Sequence, residues 1–361
     1  IARLRGGVVQ TSADGAIVGG WRTNVEAAHI RTFGLGGDSV VSVNSRDLKG
    51  GICLGPRRAI PLSLLSTQQP QIKEILRQQT EQAIAQGTDG RFVLAMVKAE
   101  AVPKWLTRSE TKLLYHLIEM GIAALADIAT TQVALGAVDR LITRGLVMLS
   151  CFTPTDAAHV LGQFDEFDTY SAELGAQLLA RQKSGSGSQL AADGLEAARM
   201  VIDALTNHSA VALMDAALAD DRTANAITGQ MKNKPNQNEY LVSSSDVLRG
   251  AVTEGRDRAD DGTKTAVEIA LELSLPLVAL GASAATYYPA ISQQLRAELI
   301  VPDHAEVAGA VGAAAGIVRQ RVEVLVTQPS KGLFRVHLAA GPHDVKSLEE
   351  ALAFSEKFCR R

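Results

Sequence analysis

The sequence predicts an α/β protein in which helices pack on sheets. Two observations point there. Hydrophobic residues make up 46% of the 361 residues, mainly Ala, Leu, Val and Ile, while aromatics make up only 4%. That balance suits helices on sheets better than an aromatic-rich sandwich. Towards the C-terminus, "LPLVALGA", "SAATYYPAISQQLRAEL", "ELIVP" and "DHAEVAGAVGAAAGIVRQ" read as strand, Gly turn, helix, strand and helix, an α/β organisation. The length predicts two or three domains, because single cores rarely grow beyond roughly 250–300 residues.

The first 65 residues predict short strands, "IARLR", "GVVQT", "AIVGG", "SVVSVN" and "GICLG", bounded by Gly, Asp and Asn. The start "IARLRGGVV" reads as a strand, a Gly-Gly turn and a strand. A fold that opens in mid-hairpin leads us to expect residues upstream of Ile1. Ile72, Ile75 and Leu76 lie at helical spacing within 66–89, and Gly87 and Gly90 close that segment. "RFVLAMV" (91–97) predicts a buried strand.

Residues 106–150 predict three helices and a strand, a pattern like a winged helix. Its first helix has Thr107 or Ser109 as N-cap and stops at Gly121. Such a module binds DNA or serves as a structural insertion. Asp139, Arg140 and Arg144 are the only charges of its third helix and the net charge is −3. Phosphate contacts need clustered Lys and Arg, so the insertion is preferred, and no nucleic-acid or membrane partner is expected. "CFTPTDAAHVLG" (151–162) predicts a loop feeding a helix, capped by Thr153 or Thr155 with Asp156 in its first turn. Helix is expected to continue over 164–182. "KSGSGSQ" (183–189) reads as a flexible linker, and about 30 residues of helix follow. Residues 222–250, with "GQMKNKPNQNEY", read as polar and mobile. The tail predicts the strands "VEVLVTQ" and "LFRVHLA" and the helix "DVKSLEEALAFSEKF". Four regions result: 1–100, 101–165, 166–320 and 321–361.

Few stretches carry chemistry. "RTFGLGGDSV" (31–40) is either a tight turn or a loop whose bare backbone approaches an oxyanion. "LGASAATYYP" opens a helix at a strand end, where α/β proteins bind anions and nucleotides, yet it is neither a P-loop nor a dinucleotide fingerprint. Gly309, Gly312 and Gly316 suggest one smooth helix face for close packing. Asp303, His304 and Glu306 are too local for a persuasive metal site. His29 and Arg31 share a strand face. His159 follows Asp156 by three positions, suggesting an ion pair or hydrogen bond. His116 reads as core. Cys53 reads as a strand-buried, inert thiol rather than a nucleophile. The three cysteines, Cys53, Cys151 and Cys359, form no CxxC pair, which suits a reducing cytoplasm.

Taken in order and spacing, "VGGWRTNVEAAHIRTFGLGGDSVV", "LGPRRAIPLSLL", "CFTPTDAAHVLG" and "LGASAATYYPAISQQLRAELIVPDHAEVAGAVGAAAG" resemble the hydantoinase/5-oxoprolinase family, of the hydantoinase A type. The resemblance covers most of residues 1–320. It implies an actin-like ATPase fold with two ribonuclease-H-like halves closing on ATP. Residues 1–100 would be part of the first half, 101–165 an insertion, and 166–320 the second nucleotide-contacting half. Family members use ATP to open cyclic amides such as 5-oxoproline or N-methylhydantoin, and related subunits activate ketones for carboxylation.

The resemblance therefore implies a cyclic-amide substrate, ATP and Mg²⁺, and as partner a second hydantoinase-type subunit or a second copy in a homodimer. Gly34, Gly36, Gly37, Asp38 and Ser39 correspond to the family's glycine-rich turn near the cleft. Gly281, Ala282 and Ser283 correspond to its second nucleotide-contacting loop. Asp38, Arg31 and His29 are the catalytic candidates: Asp38 to hold Mg²⁺ or a water, Arg31 to stabilise phosphoryl charge. The sequence departs from the family in three places. Its first phosphate loop, Asp-x-Gly-Gly-Thr-x-Thr-Asp, would fall immediately before "IARLRGGVV". The family usually has an acidic residue where His29 stands, and many amidases have His where Arg31 stands. "GPRR" (55–58) differs from the usual amidase loop, so the resemblance does not commit the substrate to 5-oxoproline. A nucleotide-binding or scaffolding relative without chemistry is the alternative.

Overall fold

A computed structural model of the chain describes residues 1–12, 15, 17–18, 21–22, 27–44, 51–220, 272–316, 324–338 and 340–359. The polar segment 222–250 lies outside those residues, as does almost all of 263–273, "TKTAVEIALEL", whose sequence predicts a helix. The protein is mixed α/β with several small sheets. Its contacts divide it into two units, Ile1–Glu306 and Val307–Arg361.

The first unit begins with the expected hairpin, β1 (Leu4–Arg5) on β2 (Val8–Val9). Strand β3 (Thr11–Ser12) pairs with β6 (Ala27–Ala28), and β4 (Ile17–Val18) with β5 (Trp21–Arg22). Strands β7 (Ser39–Asn44) and β8 (Gly51–Arg58) form a separate antiparallel pair. The main sheet has the order β11 (Ile122–Ala124), β10 (Phe92–Ala95), β12 (Val147–Cys151), β9 (Ile60–Pro61). Strand β10 runs antiparallel to both neighbours, and β12 runs parallel to β9.

Successive side chains of a strand point to opposite faces, and β10 uses both. Phe92 enters one core, with Leu62 and Leu65 of α1 (Leu62–Gln68), Leu76 of α2 (Ile72–Glu81) and Leu178 of α7 (Thr169–Ala180). Val93 enters the other, with Leu114 and Leu117 of α3 (Arg108–Met120) and Leu141 of α5 (Gln132–Thr143). A sheet covered on both faces explains why "RFVLAMV" reads as an unbroken apolar run.

The three helices expected in 106–150 are α3, α4 (Leu125–Ile128) and α5. Helix α3 starts in a full capping box, Thr107 with Glu110, and ends at Gly121. These helices share the second core with Ala59 and Val93, so the segment packs directly on strands that lie before it in the chain. His116 is exposed, not core. The buried stripe of α3 runs through Glu110, Leu114 and Leu117, and position 116 falls off it.

Glu110 is only 1% exposed. Its carboxylate accepts from Arg140 Nε at 2.6 Å and from the Thr107 amide at 3.0 Å, and Arg144 lies at 3.1 Å. The arginines of the third helix are thus engaged within the unit. Hydrogen bonding from Arg140, then from Thr107, holds the Glu110 carboxyl at about 2 instead of near 4.5. A depressed folded-state value stabilises above the unfolded value, and that stability disappears as pH falls from about 4.5 to about 2. Glu110→Gln should therefore lose about 1–2 kcal/mol at pH 7, after discounting for the exposure of the arginines. In urea unfolding, the gap between wild type and variant should narrow steadily below pH 4.5.

Helix α6 (Pro154–Val160) is capped by Thr153 through a box with Asp156. Helix α7 begins at Thr169, with Asp168 as its cap, later than the helix expected from residue 164. The preceding loop instead wraps His159, whose Nδ1 meets the Thr155 carbonyl at 2.8 Å and whose Nε2 accepts from the Phe167 amide at 3.1 Å. The expected pairing of His159 with Asp156 is not made. Residues 183–189 close into a small hairpin rather than an open linker. The Ser184 amide donates to Ser188 at 2.9 Å and the Leu190 amide to Gln182 at 2.8 Å. Helix α8 (Gly194–Asp220) follows. Then β13 (Leu277–Val278) pairs in parallel with β14 (Leu299–Ile300) around α9 (Ala284–Gln294).

The second unit holds α10 (Ala308–Ala315), a meander of β15 (Leu325–Ser330), β16 (Leu333–Leu338) and β17 (Gly341–Val345), and α11 (Leu348–Cys359). Val336, Val345 and Ala351 form its core. Strand β17 takes the first residues, Asp344 and Val345, of the helix expected from "DVKS". A Cβ placed at Gly309 or Gly312 meets nothing within 4 Å, so the close packing expected of that face does not occur among the described residues.

Candidate functional site

The glycine-rich loop 34–38 enters β7, and each glycine has a different neighbour. A Cβ at Gly34 would lie 2.7 Å from Pro56 Cβ and 2.8 Å from its Cα. Gly55 faces it with φ +60, and a Cβ there would overlap the Gly34 carbonyl oxygen. At Gly37 a Cβ would lie 2.6 Å from Thr155 Oγ1 and 3.1 Å from the Tyr287 hydroxyl. Gly36 is different: a Cβ there approaches only Asp38 Oδ1, at 3.4 Å. The bareness of this loop is thus required first by the close approach of other chain segments, and only Gly36 keeps open space.

Ser39 is buried, and its hydroxyl accepts from the Gly36 amide at 2.9 Å. That bond closes the loop as a turn. Asp38 is half-buried and forms an ion pair with Arg58, which follows from the register that sets Ser39 opposite Arg58. Arg31 is half-buried and donates to the Asp215 carbonyl of α8 at 3.4 Å. His29 is exposed, and its amide donates to the Gln10 carbonyl at 2.7 Å. Asp38 and Arg31 therefore take different partners, and His29 lies on the edge of the small N-terminal strands.

The second loop is anchored by the Gly281 amide on the Ala305 carbonyl, 2.7 Å. Gly281 has φ +111 with nothing within 4 Å of a Cβ there. Ala282 is exposed, and Ser283 stands at the N-cap of α9 without a side-chain cap bond. One turn on, Tyr287 is buried against Gly37 and Thr155. Burial pushes its hydroxyl up to about 12.

The hub between the two loops is the turn "TPTD" at 153–156. Asp156 is fully buried. Its carboxylate accepts from the Leu62 amide (3.1 Å), the Ser63 amide (2.8 Å) and hydroxyl (2.6 Å), and the Thr153 amide and hydroxyl (2.9 Å each). Burial pushes its titration up, and hydrogen bonds from the Ser63 hydroxyl and amide, the Thr153 hydroxyl and the Leu62 amide oppose the shift. Thr155 sends both its amide and its hydroxyl to the Gly37 carbonyl, each at 2.8 Å. Sequence reasoning treated Thr155 as a rival cap and did not single out Tyr287. The available signal was that only one threonine of "TPTD" can cap the helix, which releases the other for a tertiary bond. No pattern marked Tyr287.

Other features lie apart from this place. Two cavities of about 570 and 580 Å³ are lined by residues of α7 and the α8 start, and by residues around Arg91 and Leu125. Cys53 is exposed on β8, contrary to the buried thiol expected, while Cys151 is buried and its thiol is pushed up to about 11 by that burial. Among the described residues no group of three His, Cys, Asp or Glu is placed to hold a metal ion, and no helix is long and apolar enough to cross a membrane.

Fold and site together define a mixed α/β protein with two glycine-bearing loops joined through Thr155 and Tyr287. Comparison with protein-family models, with curated proteins and with solved structures finds no match for the chain.

Proposed function

We propose that this chain is an ATP-dependent hydrolase of a cyclic amide, or a subunit of one, in an actin-like ATPase frame of the hydantoinase/5-oxoprolinase type. The observation that carries the reading is the meeting of two separate segments. The loop at 34–39 and the helix that opens after Gly281–Ser283 come together at Gly37, Thr155 and Tyr287. Those are the segments for which the resemblance implies nucleotide contact.

The residues present fit such ligands in part. Gly36 and Gly281 leave open space at the two loops, while their own amides are engaged by the Ser39 hydroxyl and the Ala305 carbonyl. Mg²⁺ is held by one or two carboxylates, with water and phosphate completing its shell. Asp38 suits that role, and the Arg58 that pairs with it is 81% exposed, so the pairing is exchanged at little cost. When bound, ATP supplies a phosphoryl group to the amide oxygen and makes the carbonyl electrophilic. Arg31 would stabilise developing negative charge, and His29 stands two residues before it. A second hydantoinase-type subunit or a second copy would complete the assembly, in the cytoplasm.

Purified protein should turn over ATP faster when a lactam or hydantoin is added. Asp38→Ala should lower that stimulated turnover at least 100-fold with little change in thermal stability. Unchanged turnover would remove Asp38 from the reaction.

The second reading is a nucleotide-binding or scaffolding relative without chemistry. It is favoured by the contacts of Gly34 and Gly37, whose bare faces are filled by Pro56, Thr155 and Tyr287, and by Arg31 reaching α8. Nucleotide binding with no rise in turnover across a lactam and hydantoin panel would select it.

A further inference from the structure

We infer that Thr155 and Tyr287 act as a pair to position the glycine-rich loop, and that they couple it to the turn at Gly281–Ser283. The Gly37 carbonyl has two lone pairs, and Thr155 occupies both, through its amide and its hydroxyl at 2.8 Å each. Thr155 is not needed for helix capping, because Thr153 holds that position. It is also firmly held on both sides. Asp156 next to it is pinned by five donors, and its own carbonyl meets His159 Nδ1 at 2.8 Å.

Tyr287 brings in the other loop. It is 6% exposed and belongs to the core that α8 and α9 share. Its hydroxyl sits 3.1 Å from where a Gly37 Cβ would be, and Thr155 Oγ1 lies 2.6 Å from that same point. The Thr155 and Tyr287 hydroxyls thus close on the same face of Gly37, and a threonine oxygen that donates to the Gly37 carbonyl still has lone pairs to accept from a phenol. Tyr287 is one helical turn from Ser283, on a rigid element. A shift of the 281–283 turn therefore reaches residues 34–39 through these side chains. The positioning role stands whatever ligand the loops receive; its bearing on nucleotide rests on the function proposed above.

The test is amide hydrogen exchange on the full chain without ligand, for Thr155→Val, Thr155→Ser, Tyr287→Phe and the double variant Thr155→Val with Tyr287→Phe. Removing either hydroxyl should speed exchange in residues 34–39 by roughly five- to tenfold. Strand β10, in the main sheet, should be unchanged. Thr155→Ser keeps the hydroxyl and should match wild type. The double variant should be no faster than the faster single, because the two groups bear on the same residue and their effects are coupled. Unaltered exchange at 34–39, additive effects, or equal acceleration in β10 would each overturn the inference. Should Thr155→Val fail to fold, Tyr287→Phe and Thr155→Ser still decide it. Absence of ATP turnover in the wild type would remove the proposed function and leave these exchange results standing.

Discussion

Asp156→Ala should destabilise the first unit by about 3–5 kcal/mol, the range for breaking a buried, fully engaged charged group. The substitution orphans the amides of Leu62, Ser63 and Thr153 together with two hydroxyls. The enclosed surroundings offer those groups no water. Two helix starts fail at once, because the same carboxylate serves α6, which it caps with Thr153, and α1, whose N-cap residue Pro61 makes no side-chain bond. Urea unfolding followed by far-ultraviolet circular dichroism gives the measurement. A loss below 1 kcal/mol would mean that water or a neighbour satisfies those donors. Asp156→Asn separates charge from shape. It keeps one carbonyl oxygen but turns an NH₂ towards amide donors, so it should recover less than half of the loss.

Gly55→Ala and Gly34→Ala form the second large pair. At Gly55 the added methyl would overlap the Gly34 carbonyl oxygen, and the backbone sits at φ +60, which an L side chain adopts with strain. At Gly34 the methyl would press on the Cα and carbonyl oxygen of Pro56, at 2.8 and 3.0 Å. Backbone cannot swing aside as a flexible side chain can. Each variant should therefore lose about 2–4 kcal/mol. Gly36→Ala is the internal control, since its methyl meets only Asp38 Oδ1 at 3.4 Å, and its stability should stay within about 1 kcal/mol of wild type. Thermal unfolding of the three variants distinguishes a loop bare for packing from a loop bare for a ligand. If Gly36→Ala alone removes nucleotide binding while folding normally, Gly36 is where the ligand approaches. If Gly34→Ala is as stable as wild type, the close packing with Pro56 does not hold the loop.

The site was legible in pieces. The stretch "RTFGLGGDSV" announced a loop needing a bare backbone. Of its two readings, the turn has a counterpart in Ser39 closing on Gly36, while the groups that approach Gly34 and Gly37 are Pro56 and Thr155 and not an oxyanion. What the sequence did not show was the identity of the approaching groups, because Pro56, Thr155 and Tyr287 are brought there by different elements. The environments of Cys53 and His116 were misread for a related reason. A strand or helix pattern says which residues share a face, but not which face another element covers. The hairpin at 183–189 was missed because Ser and Gly carry no apolar pattern, and its closure depends on backbone bonds that composition does not encode.

The sequence by itself determined the local starts and stops. The helix starts near 107 and 153 and the Gly6-Gly7 turn act within four residues, so short-range chemistry suffices to place them, although the choice of Thr107 over Ser109 and of Thr153 over Thr155 came from the structure. It also predicted a buried strand in 91–97 from an apolar run without alternation, and the structure showed that both its faces are covered. The tertiary structure alone decided that Asp156 also caps a helix that begins at Leu62, and that Thr155 and Tyr287 close on Gly37. Those bonds join residues far apart in the chain, and nothing in the local order of residues selects one distant donor over another. Packing of the helices on the sheet fixes which polar groups are denied water, and that denial is what makes each of them take the partner it has.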